Sequence, residues 1–210
     1  MGKLILGVSN KGYFGNTTLT AFYNCINAEY YYIGCEFPKK SGISLLGHGS
    51  IWIGGVRGGD TLVSEGFMGG YWEVPGFHEH PPWSEFNPEE IPQGEFIQMS
   101  SNKLSEHFND SAVSEQDLIG IYCDTIVTLE NLYDFHPGAR DFLDLRYHKP
   151  LYVEVRQKSH AWSLGYAENI VIFETDVTNI GENSINAFSF GIQIRPGSGY
   201  INPATFSYAW

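Results

Sequence analysis

The chain of 210 residues carries 24 acidic and 12 basic side chains, which gives a formal net charge of −12. This charge repels phosphate backbones and anionic lipid surfaces, and no cluster of Lys and Arg offsets it locally, so nucleic acid is not an expected partner. No apolar stretch approaches the roughly 18 residues that span a bilayer, so membrane insertion is not expected either.

The composition favours strands and turns over helices. Aromatic residues reach 15%, the chain contains 24 glycines, and long apolar runs with a period near four residues do not occur. Aromatic side chains suit a pleated surface, and glycine supplies the positive φ of tight turns. We therefore predict an all-β fold, an antiparallel β-sandwich of the immunoglobulin-like or jelly-roll-like type with long irregular loops.

The first apolar segment, Leu4 to Val8, follows Lys3. It is shorter than the roughly 7 apolar residues of a signal-peptide core, and polar residues follow at once, so we interpret it as a first strand. No signal peptide is therefore visible in this sequence. No internal repeat or low-complexity linker divides the chain, and we expect one domain over residues 1–210.

The three cysteines are Cys25, Cys35 and Cys123. A disulfide between Cys25 and Cys35 is possible if the intervening aromatic segment brings the two ends together in a hairpin. The alternative is three buried free thiols. The spacing of a Cys-x-x-Cys metal site is absent.

A hairpin is predicted where two strand-like runs flank a glycine-rich turn, over Ile51 to Ser64. The Gly58-Gly59-Asp60 turn allows the positive φ that a tight hairpin requires. Trp52 and Trp162 lie within strand-like runs, and we expect both in the core.

Residues 67–93 contain five prolines and three glycines without a steady period, which predicts an irregular loop excursion. Loops of this kind often carry function. Tyr71, Trp72 and Trp83 could form a flat platform for sugar rings, or they could pack onto the sandwich as core. The excursion is where we expect a glycan or partner to bind.

Metal and cofactor sites have weak candidates. His78 and His80 could converge on a metal, but the other ligands would have to come from elsewhere, so a solvated pair is the favoured interpretation. Asp60, Asp124 and Asp176 lie where calcium ligands could gather, but no Asp-x-Asp-x-Asp-Gly loop occurs, and turn-capping roles are favoured. We predict no metal and no cofactor.

Catalysis has no specific signature either. A glycoside hydrolase needs two carboxylates at a fixed separation, and an acidic β protein offers many pairs, such as Glu73 and Glu154. No Gly-x-Ser-x-Gly elbow occurs, and Cys123 lies in an apolar run that disfavours a thiolate. We predict no catalytic residues.

In the second half of the chain, Ser114 and Asp117 have the spacing of a helix cap and predict one short helical turn. The apolar run Leu118 to Thr125 then predicts a buried strand. Beyond it, apolar and polar residues alternate with a period of two. Strands are predicted there over Leu151–Arg156, Ile170–Thr178, Ile185–Ile194 and Thr205–Trp210.

Three groups of segments, in order along about three quarters of the chain, resemble a β-rich module found near the front of large secreted bacterial surface proteins. The first group is Cys35-Glu36-Phe37-Pro38 with the Trp-Ile-Gly-Gly and Gly-Asp-Thr-Leu-Val-Ser hairpin, and the second is Ser114–Asp117 with Asp124-Thr125. The third group begins at Lys149-Pro150-Leu151, continues through Gln157-Lys158-Ser159 and Ala161-Trp162-Ser163, and ends at Thr178-Asn179-Ile180-Gly181. The last hairpin is also similar to that of immunoglobulin-like adhesion repeats, where it is a structural turn.

The resemblance implies a location outside the cell or on its surface and brings no catalytic residues with it. Members of the family continue into further domains, whereas this sequence stops soon after Gly199, which favours a cut-out domain or a small subunit that assembles. We therefore expect a non-catalytic structural or adhesion module that binds other protein subunits or envelope components and could form a homo-oligomer. Glycan binding is the alternative, and glycoside hydrolysis is a less favoured one.

Overall fold

The structure is a computed structural model. It describes residues 3–10, 12–15, 35–66, 96–125 and 149–197 with their side chains, and the backbone alone at 21–24, 29–32, 87–88, 198–201 and 208–209. These described residues form strands, turns and connecting segments, and they contain no helix.

The strands in chain order are β1 (Ile5–Leu6), β2 (Tyr13–Phe14), β3 (Ala21–Asn24), β4 (Glu29–Tyr32), β5 (Cys35–Glu36), β6 (Ile43–Arg57), β7 (Asp60–Glu65), β8 (Asn87–Pro88), β9 (Ile97–Met99), β10 (Gln116–Cys123), β11 (Val153–Ala161), β12 (Val171–Asn179), β13 (Asn186–Ile201) and β14 (Tyr208–Ala209). The first sheet has the order β1-β5-β6-β13-β14, and β2 and β7 also pair with β6. The second has the order β12-β11-β10-β8, and β9 also pairs with β10. β3 and β4 form a separate two-stranded ribbon.

The long strand β6 organises the first sheet, with β13 along one edge and β7 along the other, both antiparallel. The hairpin from β6 to β7 is confirmed, and its turn places Gly58 at φ 60° and Gly59 at φ 92°. The expectation that Trp52 lies in the core is wrong. Ile51 and Ile53 face inward, so the alternation of the strand turns Trp52 outward, where it is 38% exposed.

In the second sheet the predicted alternation from Leu151 is confirmed. Leu151, Val153 and Val155 are fully buried, whereas Tyr152 and Arg156 are exposed. β10 confirms the predicted strand before Thr125, and β12 and β13 confirm the two strands beyond Ile170.

The helical turn predicted at Ser114 to Asp117 is wrong. Asp117 already lies in β10, opposite His160 of β11. Its carboxylate accepts hydrogen bonds from the amides of Val113 at 2.7 Å and Ser114 at 3.0 Å. The motif therefore satisfies backbone donors much as a helix cap does, but it does so in a loop that enters a strand.

The two sheets pack face to face through one apolar cluster. The first sheet contributes Ile51, Ile53 and Leu62, and the second contributes Tyr122 with Leu151, Val153 and Val155. This arrangement confirms the predicted all-β fold with two packed antiparallel sheets. Val177 and Ile185 lie partly buried at the border of the cluster.

Arg57 joins the turn after β12 to this border. Its guanidinium donates to the carbonyl of Leu151 at 2.6 Å and lies 4.5 Å from the centre of the Tyr152 ring. A side chain at Gly181 would overlap the guanidinium. The glycine of the turn after Asn179 therefore leaves room for the guanidinium, which would otherwise have to shift.

Candidate functional site

An apolar cleft separates the two sheets on the side formed by β12 and β13. Its cavity volume is about 500 Å³. The wall from the first sheet consists of Phe14, Ile51, Phe188, Phe190 and Ile192, and the wall from the second consists of Gln157, Phe173, Thr175 and Val177. A concave, mostly apolar site with a few polar groups is typical of binding sites in proteins.

The floor of the cleft is buried and its rim is open. Ile51 and Gln157 are each 3% exposed, whereas Phe190 is 43% and Ile192 is 58% exposed. The rings of Phe14 and Phe173 meet across the two sheets with their centres 5.0 Å apart. The sandwich is therefore closed over β6 and β11, has a further contact between Phe14 and Phe173, and is open along β13.

Gln157 places one polar group at the floor of the cleft. Its side-chain oxygen accepts a hydrogen bond from the Tyr122 hydroxyl at 2.9 Å. Burial raises the pKa of Tyr122, so this hydroxyl remains a donor. The hydrogen bond with Tyr122 therefore holds the side chain of Gln157 in place where it lines the cleft.

Both strands that frame the cleft have an open edge within the described residues. There β12 pairs with β11 alone, and β13 pairs with β6 from Asn186 to Gly199 and meets β14 only at Tyr200 and Ile201. Unpaired strand edges present rows of amide and carbonyl groups that can pair with another extended segment. The cleft thus combines an apolar interior with hydrogen-bonding edges.

A buried polar cluster joins the beginning of β10 to the end of β11. His160 Nδ1 lies 2.7 Å from Asp117 Oδ1, and the Ser114 hydroxyl donates to the same carboxylate oxygen. Burial by itself raises the pKa of Asp117, but the hydrogen bonds from His160, Ser114 and the Val113 amide lower it below its ordinary value.

The residue types of this cluster are those of Ser-His-Asp hydrolases, but their order differs. In such enzymes the serine bonds to the histidine, which takes its proton. Here the carboxylate lies between Ser114 and His160, and all three residues are at most 5% exposed. The cluster therefore holds two strands together and does not activate the serine.

Asp124 forms a second buried polar cluster, at the end of β10. It accepts hydrogen bonds from the Ser64 hydroxyl at 2.6 Å, the Leu151 amide at 2.7 Å and the Val153 amide at 2.8 Å. Because Ser64 belongs to the first sheet, this carboxylate links the two sheets. It acts as a structural acceptor, but its donors are distant in sequence and are not the neighbouring amides that the favoured turn-capping role would involve.

The other predicted site residues do not converge where they are described. Asp60 bonds to Lys149, and Asp176 lies 3.8 Å from Lys158. Across the described ranges no group of three His, Cys, Asp or Glu could hold a metal ion. The structure also has no helix there that is long and apolar enough to cross a bilayer.

Several sequence-predicted residues lie outside the described residues. These are Cys25, Tyr71, Trp72, His78, His80 and Trp83. Cys35 is half-buried, and burial raises the pKa of its thiol. Since Cys25 is not described, the possible pairing of these cysteines stays a prediction, as do the metal pair and the aromatic platform.

The cleft itself was not predicted, although the strands that frame it were. The alternation of Phe188, Phe190 and Ile192 predicted an inward face of a strand, but it contained no information on how far the opposite sheet lies from that face. Asp117 and His160 were also missed, because only the register of β10 on β11 brings them together.

No protein-family model, no curated protein and no solved structure matches this chain.

Proposed function

We propose that this protein is a non-catalytic structural or adhesion module that works by binding or assembly through the cleft between β12 and β13. The observation that supports this most is the coincidence of an apolar interior of about 500 Å³ with two strand edges open in the described chain. An extended segment can pair with such an edge and place alternate side chains inside, a recurring mode of peptide recognition.

The buried ionisable groups support binding over catalysis. Asp117 and Asp124 are each committed to several internal hydrogen bonds. The walls of the cleft are lined by apolar side chains with Gln157 and Thr175 as the polar ones. Within the described part of the chain this surface offers apolar area and hydrogen bonds to a partner, and its lining contains no ionisable side chain.

The binding test uses a fluorescein-labelled synthetic peptide in which isoleucine and threonine alternate. We expect a saturable rise of anisotropy with the unmodified protein and at least tenfold weaker binding with Phe190→Lys at the rim of the cleft. Val63→Lys is the matched control, because Val63 is equally exposed, at 43%, on the outer face of β7. Equal binding by both variants, or none by the unmodified protein, contradicts the proposal.

A location outside the cell is the second part of the proposal and is supported by the resemblance to secreted bacterial surface proteins. Labelling of intact native cells with a membrane-impermeant biotin reagent tests it. We expect labelling before lysis, or protein in the medium. Labelling only after lysis contradicts this part and leaves the binding proposal untouched.

Glycan binding at Tyr71, Trp72 and Trp83 is the alternative that the sequence supports. Titration against a polysaccharide panel with Trp72→Ala and Trp83→Ala distinguishes it from strand binding. Loss of a measured affinity in both variants favours glycans, and absence of binding to the whole panel ends the alternative.

A further inference from the structure

We infer that the edge of β13 pairs with the same strand of a second copy of this chain, so that two sandwiches join into one continuous sheet. The inference rests on the proposed function and names the occupant of the cleft edge. β13 carries four apolar side chains on its inner face that remain about half exposed: Phe188 at 51%, Phe190 at 43%, Ile192 at 58% and Ile194 at 58%.

The pairing of β13 with β6 determines which side chains of β13 lie on the inner face of the sheet. Phe190 and Ile192 are the Cα partners of Ile53 and Ile51, two core residues. Directly opposite residues in an antiparallel pair have side chains on the same face. The four side chains therefore project from the core face of the first sheet, yet the described part of the second sheet leaves them about half exposed.

These four apolar residues form a stripe, and the stripe is self-complementary when the two-fold axis of the dimer passes through Gly191. In that register Phe188 lies opposite Ile194 of the second copy, and Phe190 lies opposite Ile192. A shift by one residue would place inner side chains opposite outer ones, which a sheet does not allow. A shift of the axis to Phe190 or Ile192 would leave one apolar residue opposite Asn186 or Pro196. Of these positions for the axis, Gly191 is thus the one that places all four apolar residues opposite apolar residues of the second copy.

The charge along this edge is compatible with self-association. Arg195 is the one charged side chain between residues 186 and 196, and the two-fold register places it opposite Ala187. Edge strands avoid pairing by means of charges, prolines and β-bulges. β13 has Pro196 and register shifts before Ser189 and after Arg195, and its ladder with β6 is regular between these two residues. The net charge of −12 on each copy still repels at long range, so association should strengthen as salt screens it.

The exposed apolar area approaches the size of interface that a stable dimer needs. Half-exposed Phe and Ile side chains offer roughly 100 Å² each, or about 800 Å² over two copies of the stripe. A biological interface clears about 1,000 Å² in total. The backbone edges and the outer-face residues Ser189 and Gln193 supply the remainder.

The first measurement is sedimentation velocity over about two orders of magnitude in protein concentration, at low and high salt. We expect a monomer–dimer equilibrium that shifts toward dimer with salt. Ile192→Lys should weaken the dimer at least tenfold, because it places a lysine opposite Phe190 of the second copy. Val63→Lys, which adds the same charge to the outer face of β7, should leave the dimer unchanged.

The second measurement tests the register by cross-linking. Gly191→Cys places two thiols across the axis, where opposite Cα atoms lie about 4.5–5.5 Å apart, within the range of a disulfide. A Cβ at Gly191 would meet Cβ of Trp52 at 3.8 Å, an ordinary contact. We expect a covalent dimer from Gly191→Cys on a non-reducing gel, beyond that of the unmodified protein.

Ser189→Cys is the matched control on the same strand and face. Alone it should not cross-link, because Ser189 of one copy lies opposite Gln193 of the other, four positions away from the second Ser189. Mixed with Gln193→Cys it should, because these two positions face each other in the proposed dimer. Cross-linking by Ser189→Cys alone as readily as by Gly191→Cys overturns the inference.

A strict monomer without Gly191→Cys cross-linking overturns the inference in a second way. If that monomer still binds the alternating peptide, the proposed function stands and its natural partner is another protein. If it does not bind the peptide either, the proposed function fails as well.

Discussion

Asp124 shows how one buried side chain joins three segments that are distant in sequence. Its two carboxylate oxygens accept from Ser64, Leu151 and Val153, and the residue is fully buried. Replacement by alanine leaves these donors without their acceptor, and each buried unsatisfied group costs about 1–3 kcal/mol. We expect Asp124→Ala to lower the free energy of unfolding by about 3 kcal/mol or more, measured by urea denaturation.

The control for this variant is Asp176→Ala. The Asp176 side chain is 59% exposed and lies 3.8 Å from Lys158, and exposed ion pairs contribute at most about 1 kcal/mol. Losses of equal size in the two variants would show that the hydrogen bonds of Asp124 do not link the sheets as described.

The carboxylate of Asp117 should make the free energy of unfolding decrease at acidic pH. Its folded pKa lies below the ordinary 3.8, because the hydrogen bonds of the carboxylate outweigh its burial. The unfolded chain therefore binds this proton at a higher pH than the folded one. The stabilisation is complete above the unfolded pKa and is lost as the pH falls through the folded pKa.

Asp117→Asn isolates that contribution, because the amide keeps the shape but not the charge. We expect the difference in unfolding free energy between the unmodified protein and this variant to be largest near neutral pH and to shrink below about pH 4. Asp176→Asn, at an exposed position, should show little difference at any pH. A difference for Asp117→Asn that is independent of pH would contradict the assignment.

At the scale of the element, the β6–β7 turn offers a test of backbone conformation alone. Gly58 has φ 60°, and a Cβ added there would meet no atom within 4 Å. Any loss in Gly58→Ala therefore comes from the left-handed backbone, which costs an L-residue about 1–2 kcal/mol.

Gly165→Ala is the matched control for the turn. A Cβ at Gly165 also meets no atom within 4 Å, but its φ is outside the left-handed region. We expect this variant to be neutral or up to about 1 kcal/mol more stable. Thermal unfolding of both variants checks the pair, and equal losses would rule out a backbone origin.

Strands were predictable from sequence wherever one face is apolar and the other polar. Over Leu151–Arg156 that contrast predicted both the strand and its buried face, with Leu151, Val153 and Val155 inside. It failed at Ile51-Trp52-Ile53, where both faces are apolar and only the packing of the second sheet decides which side is inside. It also failed at Ser114, because the same side-chain hydrogen bonds can cap a helix or a loop before a strand.

The site was less predictable than the strands because it depends on distances between elements. The sequence placed Phe188, Phe190 and Ile192 on one strand, but the separation of the sheets at that point follows from the whole arrangement of β6, β11 and β12. In the same way, Asp117 and His160 are 43 residues apart, and their contact follows from a ladder register that no local pattern contains.

For the whole molecule, the uneven separation of the two sheets is the feature that links fold to function. The sheets are in close contact over β6 and β11, where Ile53 and Val153 are fully buried. Toward the other side the inner face of β12 is partly buried and that of β13 remains about half exposed. The closed side supplies stability, and the open side supplies apolar area that a partner can bury.

The same substitution to alanine at Val155 and at Val177 compares the closed side of the sandwich with the open side. The two valines are Cα partners in the β11–β12 ladder, so their side chains share a face, yet Val155 is fully buried and Val177 lines the cleft. Val155→Ala creates a cavity in the closed part of the core and should cost about 2 kcal/mol or more, whereas Val177→Ala should cost about half of that or less. Urea denaturation at a concentration where the protein is monomeric compares them. Equal losses would mean that the cleft is filled in solution, and addition of the alternating peptide should then no longer raise the stability of the unmodified protein.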